Sequence, residues 1–333
     1  MVHLILPDDG ALFDTYTDEA NAFISIVKSD GIDSGLNWLE KNRTHELSYP
    51  RGLDFSWEGD GGGYIFEISE RADFKESRTY HTNDNRITLL NLKTGVEYFW
   101  RVNCGEVRSF STKKGTPRFL RIDGLLNVRD IGGGKIKQGI LFRGCELERC
   151  FSLTERGRDT FLHELGIKTQ LDLRLDMKGK LDGSAAGEGV RLVQLSYRPY
   201  GEVFLPEHIE GIRPIMELFA DPDSYPVYFH CMGGADRTGM IALYLRALAG
   251  EDDDTIHLDY ELTGLSLYAG GITEGATGLR SRNSGYYSSF IKRLREYSYD
   301  GAPLREAVRG FLVSCGISSS TLDKIAENIT EPK

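Results

Sequence analysis

The decisive stretch is His230-Cys231-Met232-Gly233-Gly234-Ala235-Asp236-Arg237-Thr238-Gly239. Before it, Tyr225 to His230 has the length and apolar content of a buried strand; after it, Arg237 to Ala249 has those of a helix, closed by Gly250. A cysteine at a strand end, five further residues and an arginine opening a helix let successive backbone N–H groups converge on one point, where the helix dipole also favours negative charge. Such a nest suits a phosphate dianion, with Met232, Gly233, Gly234, Ala235, Asp236 and Arg237 as the phosphate-binding residues. Gly233 and Gly234 permit the turn and the close approach. The planar fork of Arg237 suits two phosphate oxygens, a geometry lysine does not offer.

The same field favours a thiolate at Cys231, so the pattern points to attack on phosphorus and a cysteinyl-phosphate intermediate, a chemistry that calls for no metal and no cofactor. Arg237 and the amides would stabilise the transferring charge, and a carboxylic acid must protonate the departing oxygen and then activate water. Asp172, ending a predicted parallel strand, and Asp236, in the loop, are the two candidates. The alternative for each is an ion pair with Arg174 or Arg129 that merely holds the loop. Thr238 is placed to hydrogen-bond the sulfur as it leaves. His230, at the strand end, is expected as a buried ring that orients the loop.

Cysteine, five residues, arginine and threonine together resemble the signature of the cysteine-dependent tyrosine phosphatases. Further motifs in order narrow the resemblance to the bacterial branch that includes dual-specificity and lipid-active members: Asn127-Val128-Arg129-Asp130-Ile131-Gly132-Gly133, Gly139-Ile140-Leu141-Phe142-Arg143-Gly144 and Leu171-Asp172-Leu173-Arg174, with Asp259-Tyr260 beyond the loop. Asn127, Arg129 and Asp130 are expected to support the loop by hydrogen bonds from behind it, the alternative being direct contact with substrate. Asp172 matches the family's Asp-x-Arg motif, and Asp236 is similar to the loop aspartate that myotubularin-type phosphatases use as acid. Many relatives carry lysine where Ala235 stands, and that lysine can contact a second phosphate. A Trp-Pro-Asp acid loop is missing, because Trp38, Trp57 and Trp100 all lie near the other end. The implied activity is phosphomonoester hydrolysis, with phosphotyrosine in proteins or peptides favoured; a phosphoinositide or inositol-phosphate phosphatase and a catalytically silent phosphate-binding module are the alternatives.

Around the loop, Ser152 and Glu155 form a capping-box pattern for a helix ending near Gly166, a strand follows at Ile167 to Leu173, and helices are expected at Phe290 to Tyr297, Ala302 to Cys315 and Thr321 to Ile329. Residues 116–333 thus read as an α/β catalytic domain with a central, mostly parallel sheet. Two glycine-rich stretches, Gly179 to Gly189 and Gly270 to Gly285, read as mobile loops.

Residues 1–115 read differently. Leu53 to Trp57, Tyr64 to Ser69, Arg86 to Leu90 and Glu97 to Asn103 are short, aromatic or β-branched and bounded by turn residues, which predicts an all-β sandwich interrupted by a helix over Thr17 to Leu39. Leu92, Gly95 and the alternating Tyr98, Trp100 and Val102 resemble the tyrosine-corner strand of a fibronectin type III domain. Lys113 to Pro117 is the expected linker between this accessory unit and the catalytic one.

Over 333 residues, 40 basic and 50 acidic side chains give a net charge of −10. Neither part is basic overall, with 13 basic against 19 acidic residues before position 116 and 27 against 31 after it, so duplex nucleic acid is not an expected partner. Apolar runs such as Met240 to Ala249, cut by Arg246, fall short of the roughly 20 residues of a membrane span. Five cysteines without short paired spacings argue against a disulfide framework or a cysteine zinc site, and Met1 to Leu6 is too short for a leader. A cytoplasmic protein is expected, or a secreted one whose leader has been removed. The sequence leaves the oligomeric state open, and whether Cys145 or Cys150 protects Cys231.

Overall fold

The computed structural model describes residues 2–59, 61–267 and 285–332. Along the chain run β1 (His3–Leu6), β2 (Ala11–Phe13), α1 (Asp18–Asp30), α2 (Ile32–Asn42), β3 (Leu53–Glu58), β4 (Tyr64–Ser69), β5 (Ser77–Thr82), β6 (Arg86–Leu89), β7 (Glu97–Val102) and β8 (Val107–Thr112). These strands form two sheets, ordered β1-β3-β6 and β2-β8-β7-β4-β5. Their alternating faces meet in one cluster: Leu53, Phe55 and Trp57 from β3, Tyr64, Phe66 and Ile68 from β4, and Tyr98, Trp100 and Val102 from β7. Phe55 meets Phe66 and Trp100 edge-on, with ring centroids 4.9 and 5.1 Å apart. The Tyr98 hydroxyl accepts from the Lys93 amide at 2.9 Å.

Two helices stand where one was expected. Thr17 caps α1 through the Ala20 amide, as its position suggested, but the chain breaks at Gly31, whose φ of 83° a glycine adopts without cost. The pair does not join the strand core. Phe23 and Val27 of α1 and Leu39 of α2 share a separate buried cluster with Phe119, Leu258, Leu262 and Leu265.

The remainder comprises β9 (Arg118–Phe119), β10 (Arg129–Asp130), β11 (Leu141–Gly144), α3 (Glu155–Asp159), β12 (Thr169–Asp172), α4 (Leu175–Lys178), β13 (Arg191–Gln194), α5 (Pro206–Ile209), α6 (Ile212–Ala220), β14 (Val227–His230), α7 (Asp236–Ala249), α8 (Asp253–Glu261), α9 (Gly285–Arg295), α10 (Leu304–Ser314) and α11 (Ser319–Ile329). Six strands form one sheet in the order β13-β12-β14-β11-β10-β9. The β13, β12, β14 and β11 neighbours are parallel, and β10 and β9 add antiparallel edges. Helix α7 is apolar almost all round and is buried in the core that also takes Leu171, Val227 and Phe229 from the sheet and Phe311 and Leu312 from α10. The other face packs Phe142 and Tyr228 against Phe161 and Leu165.

The expected cap at Ser152 is corrected to Thr154, whose hydroxyl accepts from the Gly157 amide. The helix it opens continues as a π-helical turn over Thr160–Glu164 and stops before Gly166 at φ 63°. Of the second glycine-rich stretch, residues 270–284 lie outside the described residues, and Gly285 opens α9. Among the described residues no helix is long and apolar enough to cross a membrane.

Candidate active site

Strand β14 ends at His230 and α7 begins at Asp236, so Cys231 to Ala235 form the turn at the carboxyl edge of the parallel strands, where open α/β sheets place their ligands. Cys231 is buried. The turn is held from outside, carbonyl by carbonyl. The Met232 oxygen accepts from the Glu146 amide at 2.8 Å, the Gly233 oxygen from the Asn127 side-chain amide at 2.9 Å, and the Gly234 oxygen from Arg143 Nη2 at 2.7 Å. In a trans peptide the N–H points opposite to the carbonyl, so the amides of Gly233, Gly234 and Ala235 are turned away from these three partners. Among the described residues, none of the N–H groups of Met232 to Ala235 donates to a protein acceptor. Helix α7 also starts without a side-chain cap. Unsatisfied donors at a helix start make an anion site.

Gly234 sits at φ 68°, and a Cβ there would collide with the Gly144 carbonyl, so glycine is required both for the turn and for the approach of β11. Behind the loop the guanidiniums converge on one carboxylate. Asp259 on α8 accepts from Arg129 Nε at 2.9 Å and from Arg143, and lies 3.5 Å from Arg246 Nη2. Arg129 also donates to the Asn127 side-chain oxygen, fixing the amide that holds Gly233. Asn127 itself is in the left-handed region at φ 56°, which asparagine tolerates better than most residues. The three surrounding cations outweigh desolvation and hold the Asp259 carboxyl far below its usual range.

His230 is fully buried, with Nδ1 3.0 Å from the Cys231 carbonyl and Nε2 2.9 Å from Gln170 Nε2. Nδ1 must donate to the carbonyl and Nε2 must accept from the amide, which is the neutral ring. Burial, with Arg174 and Arg237 nearby, drives its pKa down to about 3.

Asn127 and Arg129 therefore touch the loop or its holder, while Asp130 does not. Neighbouring strand residues face opposite ways, and the Asp130 carboxylate accepts from the Gly132 and Gly139 amides at 2.8 and 2.6 Å and pairs with Arg118 at 2.9 Å. It secures the turn between β10 and β11, and its hydrogen bonds go there and not to residues 231–235.

The two aspartate candidates have different surroundings. Asp172 is fully buried, and both its oxygens are engaged: Oδ1 accepts from the Arg174 amide and Nε, Oδ2 from Arg174 Nη2 and Gln194 Nε2. Burial raises its pKa against those donors. Arg174 in turn donates to Glu146 and Glu148, giving one cation among three carboxylates. Asp236 is partly exposed at the first position of α7 and accepts a hydrogen bond from Tyr200. Arg237 is partly exposed too, with Nη1 3.4 Å from the Leu173 carbonyl. The Thr238 hydroxyl is buried without a hydrogen-bond partner.

Glu146, Glu148, Gln170, Gln194 and Tyr200 were not singled out in the sequence, since no local pattern connects them to residues 231–237. All five cysteines are free; Cys150 is exposed, and burial pushes the Cys145 thiol up to about 12.

A buried cysteine opening a cup of unpaired amides, with an arginine beyond five intervening residues in the same strand-to-helix motif, is the arrangement of a cysteine-based phosphatase. The sequence agrees: the model of the tyrosine phosphatase family matches residues 120–331, more than half of the chain, and the chain belongs to that family. Among solved structures it matches the core catalytic domain of the PP-IP phosphatase SIW14 from S. cerevisiae in complex with citrate, at 18% identity over 49% of this chain and 91% of that one, with a TM-score of 0.27, too low to carry an argument. No curated protein matches the chain.

Proposed function

We propose that this phosphatase hydrolyses phosphotyrosine in proteins or peptides through a cysteinyl-phosphate on Cys231, with Asp236 as general acid and base. The observation that carries the reading is the row of loop amides left without acceptors while their carbonyls are tied down by Glu146, Asn127 and Arg143. Those donors, with Arg237, supply charge stabilisation for a transferring phosphoryl group in a site that needs no reorganisation. The Cys231 sulfur bonds to phosphorus as the ester P–O bond breaks, and Asp236 gives its proton to the departing oxygen. Water then attacks phosphorus, Asp236 takes its proton, and the S–P bond breaks to return the thiolate. The Thr238 hydroxyl, unpartnered inside the protein, suits the sulfur in that second step.

Asp236 is preferred because it is partly exposed at the site, whereas both carboxylate oxygens of Asp172 are already engaged with Arg174 or Gln194. Asp172 is then a positioning residue for Arg174. Phosphotyrosine is preferred over polyphosphorylated inositols because Ala235 offers no cation to a second phosphate. The β-strand part within residues 1–115 is read as a fibronectin type III-like accessory unit, supported by its paired sheets and the Tyr98–Lys93 bond, ahead of a catalytic unit at 116–333. Turnover of a phosphotyrosine peptide, a phosphoserine peptide and a monophosphoinositide tests the reading. The phosphotyrosine peptide should show the highest kcat/KM. A preference for the lipid would move the assignment to the inositide alternative, and no turnover of any of the three would leave a phosphate-binding module.

A further inference from the structure

Tyr200 is the feature near the loop that nothing above explains. It opens a 3-10 turn, Tyr200–Phe204, at φ 57°, a region non-glycine residues seldom occupy and that persists only where the surroundings impose it. The imposition is visible. Phe204, at the other end of the turn, is buried among the rings of Phe290, Tyr297 and Phe311 at centroid distances of 5.7, 6.1 and 5.0 Å. The Tyr200 hydroxyl thereby meets two groups at once: it donates to Asp236, and its oxygen lies 2.8 Å from the Tyr260 hydroxyl.

A phenol has one proton to give. With Tyr200's proton on Asp236, Tyr260 must donate to Tyr200. Tyr260 is fixed in turn, its ring stacked on Tyr287 at 4.0 Å, and the Tyr287 hydroxyl is 2.7 Å from His257 Nδ1. Burial and the neighbouring Asp236 charge keep the Tyr200 phenol protonated, so it is a permanent donor.

Resting on the assignment of Asp236 as the acid, we infer that Tyr200 is a positioning residue for the reaction: with Tyr260 behind it, it holds the Asp236 carboxyl in the orientation that delivers a proton to the leaving oxygen. Their effect passes through Asp236, so it should matter in proportion to how much the leaving group needs a proton.

That dependence separates positioning from mere support. We expect Tyr200→Phe, which keeps the ring and removes only the hydroxyl, to lower kcat/KM about 10-fold or more on phenyl phosphate, within the general-acid contribution of roughly 100-fold or more. On 2,4-dinitrophenyl phosphate, whose phenolate leaves unaided, the loss should be about 3-fold or less. Asp236→Asn should show the same bias more strongly, and the double variant should be no worse than Asp236→Asn alone. Tyr260→Phe, which does not contact Asp236 through its hydroxyl, should give a smaller loss of the same kind. Equal losses on both esters, or losses that add to those of Asp236→Asn, would overturn the positioning role, as would an Asp236→Asn variant without leaving-group bias. A wild-type enzyme inert on both esters, or a Cys231→Ser variant as active as wild type, would instead overturn the phosphatase reading beneath it.

Discussion

At His230 a ring nitrogen donates to the carbonyl of Cys231 while the other accepts from Gln170, so the imidazole is locked neutral. Its pKa falls from the usual value of about 6.5 to about 3. The sign of the consequence is fixed: below about pH 6.5 the unfolded chain takes up a proton that the folded one refuses, so this group costs stability increasingly as pH falls through that window. Replacing it by Asn removes the penalty together with the bonds. The destabilisation caused by His230→Asn, measured by urea unfolding, should therefore be smaller near pH 5 than near pH 7, by about 2 kcal/mol. A pH-independent difference would show that the ring keeps its ordinary titration in the folded state, and a larger loss near pH 5 that it is held charged. The role expected for His230 from its place at a strand end follows from β14 ending there. Gln170 could not be foreseen, because its contact depends on the β12–β14 register.

Among the elements, α8 carries a load that its sequence hides. Its Asp259 gathers Arg129 from β10, Arg143 from β11 and Arg246 from α7, and two of those arginines reach the loop, one through Asn127 and one at the Gly234 carbonyl. Asp259→Asn would leave three buried guanidiniums facing a neutral amide, at a cost of about 3–5 kcal/mol, since breaking a buried ionic network strands its partners. The denaturation midpoint should drop accordingly, and kcat/KM should fall in the fraction that still folds, because the carbonyls of Gly233 and Gly234 lose their anchors. An unchanged midpoint would mean that the arginines are satisfied elsewhere. The strand-loop-helix unit around Cys231 was legible because its spacing is local. Arg143 and Asp259 stood in recognisable motifs, yet their pairing spans 116 positions and emerges only when α8 packs across the sheet. The helix caps show the same limit: Ser152 and Glu155 fit the local pattern, yet Thr154 is the cap, held by its contacts with Asp123.

Across the whole molecule, the first 115 residues do more than build their own two sheets. Helices α1 and α2 interrupt the strands and bury Phe23, Val27 and Leu39 against Leu258, Leu262 and Leu265, the stretch that carries Asp259 and Tyr260. A compositional break at Lys113 to Pro117 was readable, but an insertion that leaves its own sheets and packs on a later helix was not, because hydrophobic periodicity reports which face is buried and never against what. The N-terminal helices thus brace the element that holds the 231–235 loop from behind and, through Tyr260, the phenol beside Asp236. All of this architecture converges on one sulfur atom. Rapid acid quenching of the full chain with phosphate-labelled phosphotyrosine peptide, followed by peptide mapping, tests it most directly: the label should reside on the peptide containing Cys231 and be absent in Cys231→Ser, whereas label on another residue, or undiminished turnover by Cys231→Ser, would contradict the account.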